Sequence, residues 1–170
     1  VKEINVRRKA EEDLRESEAR YRSVMEAAPD PIVVYDMQGR VMYLNPAFTR
    51  FFGWTLAECI GKKMDHFVPQ ENWHETNQMI NAALAGETFT AVPTCRYDKS
   101  GNTLNVSNSG AIYRDHKGKL AGSVIILRDI TKSTRLSRQL MSIGDRERQK
   151  IGQDLHDDLG AHLVGVGAMA

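Results

Sequence analysis

Cysteine is scarce in this sequence: Cys59 and Cys95 are the only two among 170 residues, and they do not form a C-x-x-C pair. That excludes a disulfide-stapled scaffold and fits a reducing, cytoplasmic setting. Long apolar runs are missing too. The longest aliphatic stretch, Val124 to Leu127, is far short of the roughly 20 apolar residues that span a bilayer. The opening VKEINVRRKAEED has no apolar h-region, so neither a membrane span nor a secretory signal is expected. Neither charge dominates: 23 basic residues face 22 acidic ones, a net charge of +1. Without concentrated positive charge, direct nucleic-acid binding is not expected. Catalytic signatures are also wanting. His74-Glu75 lacks the second histidine of H-E-x-x-H, Gly165 and Gly167 follow no strand, and there is no P-loop. The length leaves room for one ordinary domain plus some extra helix.

What is present falls into three segments. Residues 2 to 28 are densely charged, with Ala10, Leu14, Ser17, Tyr21, Val24 and Ala28 at spacings of 4, 3, 4, 3 and 4. This is a weak heptad seam on a helix, ended by Pro29 and Pro31. Period-two patterning then takes over. Ile32 to Asp36 and Arg40 to Asn45 read as a hairpin, and Asn45-Pro46 as the cap and first residue of a short helix stopped by Gly53. Short helices are expected over Thr55 to Ile60 and Lys62 to Phe67, and a longer one over Pro69 to Ala85. Three strands follow: Thr88 to Tyr97, Thr103 to Tyr113 and Lys119 to Ile130, joined by polar turns ending in Gly101 and Gly118. The order predicts an α+β domain, a five-stranded antiparallel sheet with helices on one face. Past Thr131 a second helical seam runs through Leu136, Leu140, Ile143, Ile151, Leu155, Leu159, His162 and Val166, with a stutter around Glu147. The division expected is residues 1–28 as a linker helix, 29–131 as the domain, and 132–170 as a long outgoing helix.

The stretch ESEARYRSVMEAAPDPIVVYDMQGRVMYLNPAFTRFFGW, followed by LAECIGKKMDHFVPQE and closed by GSVIILRDITK, resembles a PAS sensory domain. The likeness covers about residues 16 to 132. It implies a PAS fold flanked by coiled-coil helices, with further sensory or membrane modules upstream. A second stretch, ERQKIGQDLHDDLGAHLVGV, resembles the H-box of two-component histidine kinases related to nitrate and thermal sensors. That resemblance implies His156 as phosphoacceptor and Asp157 as the base that orients it. ATP and Mg2+ would bind outside this chain, and the partners would be a second copy of the chain and a response-regulator receiver aspartate.

The residues themselves suit those roles. On a helix His156 is rotated about 100° from Leu155, off the apolar seam, and a neutral imidazole is a competent nucleophile toward phosphorus. Asp157 can take the proton from one ring nitrogen while the other attacks. Ala161 stands where the family usually carries a glutamine that positions water; a methyl group orients none, which puts phosphatase activity in doubt. The alternative is a non-catalytic PAS module that senses a ligand or dimerises, with the last helix as a linker.

Flavin-binding members of the superfamily need a reactive cysteine after the I-G-K turn, where Met64 stands here. Haem-binding members use a histidine on or after the long helix, where His74 lies in the first turn and Thr88 to Thr90 offer no ligand. Neither flavin nor haem is expected. On the strand from Leu104 to Ile112, Asn108 interrupts the apolar face Leu104, Val106, Gly110 and Ile112. It is a satisfied core amide, an end-of-strand irregularity, or a pocket group for a small ligand.

Overall fold

The computed structural model describes the backbone of residues 2–167 and the side chains of residues 3–156. The chain divides into two units, Val1–Ile130 and Thr131–Ala170. In the first, α1 (Lys2–Ala27) leads into β1 (Ile32–Asp36) and β2 (Val41–Leu44), then α2 (Pro46–Phe52), α3 (Leu56–Cys59) and α4 (Trp73–Leu84), and finally β3 (Phe89–Tyr97), β4 (Thr103–Arg114) and β5 (Leu120–Asp129). The second unit is the single helix α5 (Thr131–Gly167).

One local device makes all three hairpins. In Asp36-Met37-Gln38-Gly39-Arg40 the aspartate Oδ1 accepts the amides two and four residues on, at 2.9 and 2.8 Å. Asp98 does the same for Ser100 and Asn102, and Asp115 for Lys117 and Lys119. Each turn closes on a left-handed glycine (φ of 74°, 84° and 78°), a conformation open to glycine at little cost. These contacts are local, so the strand breaks are legible in the sequence.

The five strands form one antiparallel sheet, as expected, and their order is β2-β1-β5-β4-β3, with β1 paired to β5 as well as to β2. Antiparallel partners share a face, so the register composes the inner wall row by row. Tyr35, Ser123 and Ile112 form one row, Val33, Ile125 and Gly110 the next, and Leu127, Asn108 and Val92 a third. The rings of Phe48, Phe52 and Phe67 pack together with centroids 4.8 to 5.6 Å apart. They make a core with Val33, Val41, Val106 and Leu127, all essentially without solvent contact.

Asn45 ties this core to the preceding helix. It caps α2 by accepting from Phe48 N at 2.9 Å, as its position before Pro46 predicts, and the same Oδ1 accepts from Ile32 N at 2.8 Å. Its Nδ2 donates to Met25 O and Asp30 O, at 3.3 and 3.0 Å. One side chain thus joins the end of α1, the proline turn, β1 and α2.

Two helices differ from expectation. The segment after α3 does not start a helix at Lys62 but pairs with the edge of β2, through Val41 N to Lys62 O at 2.9 Å and Gly61 N to Val41 O at 2.8 Å. Only a short 3-10 turn, Asp65–Phe67, survives there. The long helix starts at Trp73 rather than near Pro69, because Pro69 is extended (ψ 145°) and a separate 3-10 turn, Gln70–Asn72, intervenes. Asn45 itself leaves β2 to act as a cap, which shortens that strand.

Candidate functional site

Between the inner sheet face and α4 lies a cavity of about 390 Å³, within the range of small-molecule sites. Its walls come from β1 (Val33, Tyr35), β5 (Ile125, Leu127), β4 (Asn108, Ile112), β3 (Phe89, Arg96) and α4 (Trp73, Thr76, Met79), with Met64 and Phe67 closing one side. Most of that lining is apolar. Two glycines of the sheet stand where a side chain would collide with its neighbours. A Cβ on Gly110 would sit 2.3 Å from the Phe89 ring, and one on Gly122 would sit 2.1 Å from Tyr35 O.

Among the polar side chains of the lining are Arg96, Tyr35 and Asn108. Arg96 is only 3% exposed. Its Nη1 donates to Thr94 Oγ1 at 2.8 Å and to Cys95 O at 2.6 Å, its Nη2 donates to Thr76 Oγ1 at 3.2 Å, and its Cζ lies 5.9 Å from the Phe67 ring centroid. All three acceptors are neutral. A carboxylate reaches the guanidinium only indirectly: Thr94 Oγ1 donates to Glu75 Oε1, which also accepts from Asn72 Nδ2 at 2.7 Å. Burial pulls the guanidinium pKa down, and Tyr35 and Glu75 push it back up; arginine stays charged regardless. Tyr35 is held far above the usual phenol range, first by burial, and Arg96 works against that shift.

Asn108 is 5% exposed. Its Nδ2 reaches Met79 Sδ at 3.6 Å, and its Oδ1 has no hydrogen-bond partner among the described residues. The partner that a satisfied core amide needs for Oδ1 is not found among the described residues.

Of the other residues weighed in the sequence, only some lie at the cavity. Cys59 is buried and its thiol is pushed up, mainly by burial. His74 is exposed and does not line the cavity, whereas Met64 does. His156 is an exposed residue of α5, in the second unit. The side chains of Asp157, Ala161 and His162 lie outside the described residues. No group of His, Cys, Asp or Glu that could hold a metal occurs among the described residues.

Arg96 and Tyr35 escaped the sequence reading. A signal for Arg96 existed: β4 shows its inward face at Leu104, Val106 and Asn108, and their antiparallel partners are Arg96, Thr94 and Val92. The alternation of β3 therefore places a charged residue inward. Recognising it needed the register between two strands, which no single strand displays.

A family model described as the PAS fold matches residues 25–135. The chain is 26% identical over 115 residues to the methanogenesis regulatory histidine kinase FilI of Methanothrix harundinacea, covering 68% of this chain and 13% of FilI. It is 27% identical over 146 residues to the virulence sensor protein BvgS of Bordetella parapertussis, covering 82% of this chain and 12% of BvgS. The chain thus spans about an eighth of the length of these curated relatives. Among solved structures, the PAS domain of a protein from Colwellia psychrerythraea superposes with a TM-score of 0.61 at 22% identity, covering 67% of this chain and 97% of that one. This last likeness concerns the fold alone.

Proposed function

The chain belongs to the PAS fold family, and on that premise we propose that it is the sensory and phosphoacceptor portion of a two-component sensor histidine kinase. Its sensory part is the domain built around the cavity. Its output part is α5, which begins at Thr131, two residues after β5 ends, and carries His156. The observation that carries the reading is that His156 is exposed on a helix continuous from Thr131 to Gly167, inside a Leu155-His156-Asp157 motif, in a chain similar to a histidine kinase.

The chemistry follows from the imidazole. One ring nitrogen of His156 attacks the γ-phosphorus of ATP, the P–N bond forms as the bond to the ADP oxygen breaks, and Asp157 takes the ring proton from the other nitrogen. ATP and Mg2+ are held outside this chain, and the phosphoryl group passes on to a receiver aspartate.

The protein acts as a homodimer in this reading. Leu14, Tyr21 and Val24 on α1 are each about 60% exposed, as are Leu136, Leu140, Ile143, Ile151 and Leu155 on α5. A parallel two-fold pair would bury such seams. No described helix is long and apolar enough to cross a membrane.

Incubating the chain with a separately expressed kinase ATP-binding domain and labelled ATP tests the reading. The expected product is an acid-labile, base-stable phosphate that His156→Ala abolishes and His162→Ala leaves largely intact. Equal loss in both variants, or no label on the chain, would reject His156 as the acceptor and leave a ligand-sensing or dimerising PAS module.

A further inference from the structure

We propose that the cavity binds a small monocarboxylate that has an apolar body and a hydrogen-bond donor about one helical turn from its carboxylate, with Arg96 holding the anion and Asn108 accepting from the donor. The proposal rests on reading this domain as sensory and gives that reading a ligand class.

The first support is the state of Arg96. A buried charge is normally paired with an opposite one, because desolvation otherwise disfavours it strongly. Arg96 has no ion pair within 4.0 Å among the described residues, and its three bonds go to two hydroxyls and one carbonyl. A guanidinium has five N–H donors, so donors remain for an incoming oxyanion. Two parallel N–H groups on a carboxylate are the strong form of that contact.

The second support is independent of the first. Asn108 Oδ1 is buried without a partner in the same cavity wall, an arrangement that native interiors avoid unless something else fills it. The orientation of the amide follows from its neighbour: the thioether of Met79 has no hydrogen to donate, so Nδ2 faces it and Oδ1 is left over. An unpaired acceptor calls for a donor on the ligand.

Spacing and charge narrow the class further. Arg96 touches Thr76, and Asn108 touches Met79. These two residues of α4 are three apart, so their side chains lie about 5–6 Å from one another along the helix face. The anion and the donor of the ligand are separated on that scale. Val33, Met79, Ile112, Ile125 and Leu127 supply apolar wall for the body between and around them.

The acidic groups around the site favour a single negative charge. Glu75 stands behind Thr94, and Asp36 and Asp65 lie at the lining. Asp36 is occupied by turn amides, and Lys63 is the only other cation in the lining. A monoanion neutralises Arg96, whereas a second negative charge would face the Asp36 and Asp65 carboxylates of the lining.

Calorimetry on the 170-residue protein with matched acid and amide pairs tests this without requiring a variant. The pairs are 3-hydroxyphenylacetate with 3-hydroxyphenylacetamide, and 5-hydroxyoctanoate with 5-hydroxyoctanamide. At least one acid should bind more than tenfold tighter than its amide, and Arg96→Met should erase that preference. Asn108→Leu should erase the preference for 3-hydroxyphenylacetate over phenylacetate. Without ligand, Arg96→Met should melt no lower than the wild type, since it removes an unpaired buried charge.

The proposal falls if neither acid exceeds its amide up to about 10 mM, the weak end of measurable affinity. It also falls if Arg96→Met, shown to be folded by circular dichroism, binds the acid as the wild type does, or if Arg96→Met unfolds without ligand, which would make Arg96 a structural residue. Failure here with intact phosphorylation of His156 removes only the ligand class; binding without phosphorylation removes only the kinase reading.

Discussion

Asn45 and Asn108 are both closed off from solvent, at 0% and 5% exposure, and their environments are opposite. At the junction of α1, β1 and α2, both ends of Asn45 are engaged, by two backbone amides and two backbone carbonyls. On the cavity wall, Asn108 has a sulfur at one end and nothing at the other. The same side chain is a fastening in one region and an open valence in the other. The difference lies in whether the surrounding backbone supplies partners: at Asn45 backbone groups of α1, the proline turn, β1 and α2 converge on it, while among the described residues none reaches the Asn108 carbonyl oxygen.

Replacing Asn45 with Ala gives the largest expected effect. It leaves the Ile32 amide buried without its acceptor, at about 1–3 kcal/mol. It also strips the Phe48 amide of its side-chain cap, at about 0.5–2 kcal/mol, although Phe48 N keeps the backbone carbonyl of residue 45 at 3.0 Å. The domain should lose roughly 2–5 kcal/mol in urea unfolding. A loss below about 1 kcal/mol would mean that water or a shifted side chain satisfies those amides, and the contrast with Asn108 would dissolve.

Gly122→Ala asks whether the cavity wall is as rigid as the junction. The new methyl would meet Tyr35 O at 2.1 Å and the Tyr113 ring at 2.7 Å, and because one of those is backbone, overpacking should destabilise by about 1–3 kcal/mol. Gly110→Ala meets only the tips of Phe89 and Ile125 and should cost less, by pushing Phe89 into the cavity. Thermal melts of the two variants, compared side by side, check the order.

Asn108→Leu should change stability by less than about 1 kcal/mol in either direction, since the carboxamide it removes has no strong hydrogen bond to lose. A loss as large as that of Asn45→Ala would show that Asn108 has a structural partner, and the cavity would lose its donor-seeking group.

The smallest effect extends the contrast to the surface. Glu58 Oε2 accepts from Thr55 N and Oγ1, both at 2.9 Å, and Oε1 from Lys99 Nζ at 2.5 Å. Those hydrogen bonds, Lys99 first, lower its carboxyl from the ordinary 4.5 to about 2. With the folded pKa depressed, its stabilising share is present above the unfolded value and is lost as pH falls through about 2. An NMR titration of Glu58 should find the low midpoint, and Lys99→Met should move it upward. The exposed pair should leave the urea midpoint at neutral pH almost unchanged.

The sequence by itself determined the strands, the hairpins and most helix starts, because the groups that make them are neighbours along the chain. Asp36, Asp98 and Asp115 each bond amides two and four residues away, and Asn45-Pro46 begins α2 within three residues. His156 was legible in the same way, as a helical residue off an apolar seam. Tertiary structure alone decided what the buried polar groups do. Asn45 collects partners from Met25, Asp30 and Ile32, Arg96 reaches Thr76, and the Asn108 carbonyl is left without a partner among the described residues while its amide faces Met79. Whether a buried polar group is satisfied depends on which remote segments arrive beside it, and that is set by strand register and helix placement rather than by its own neighbours in the chain.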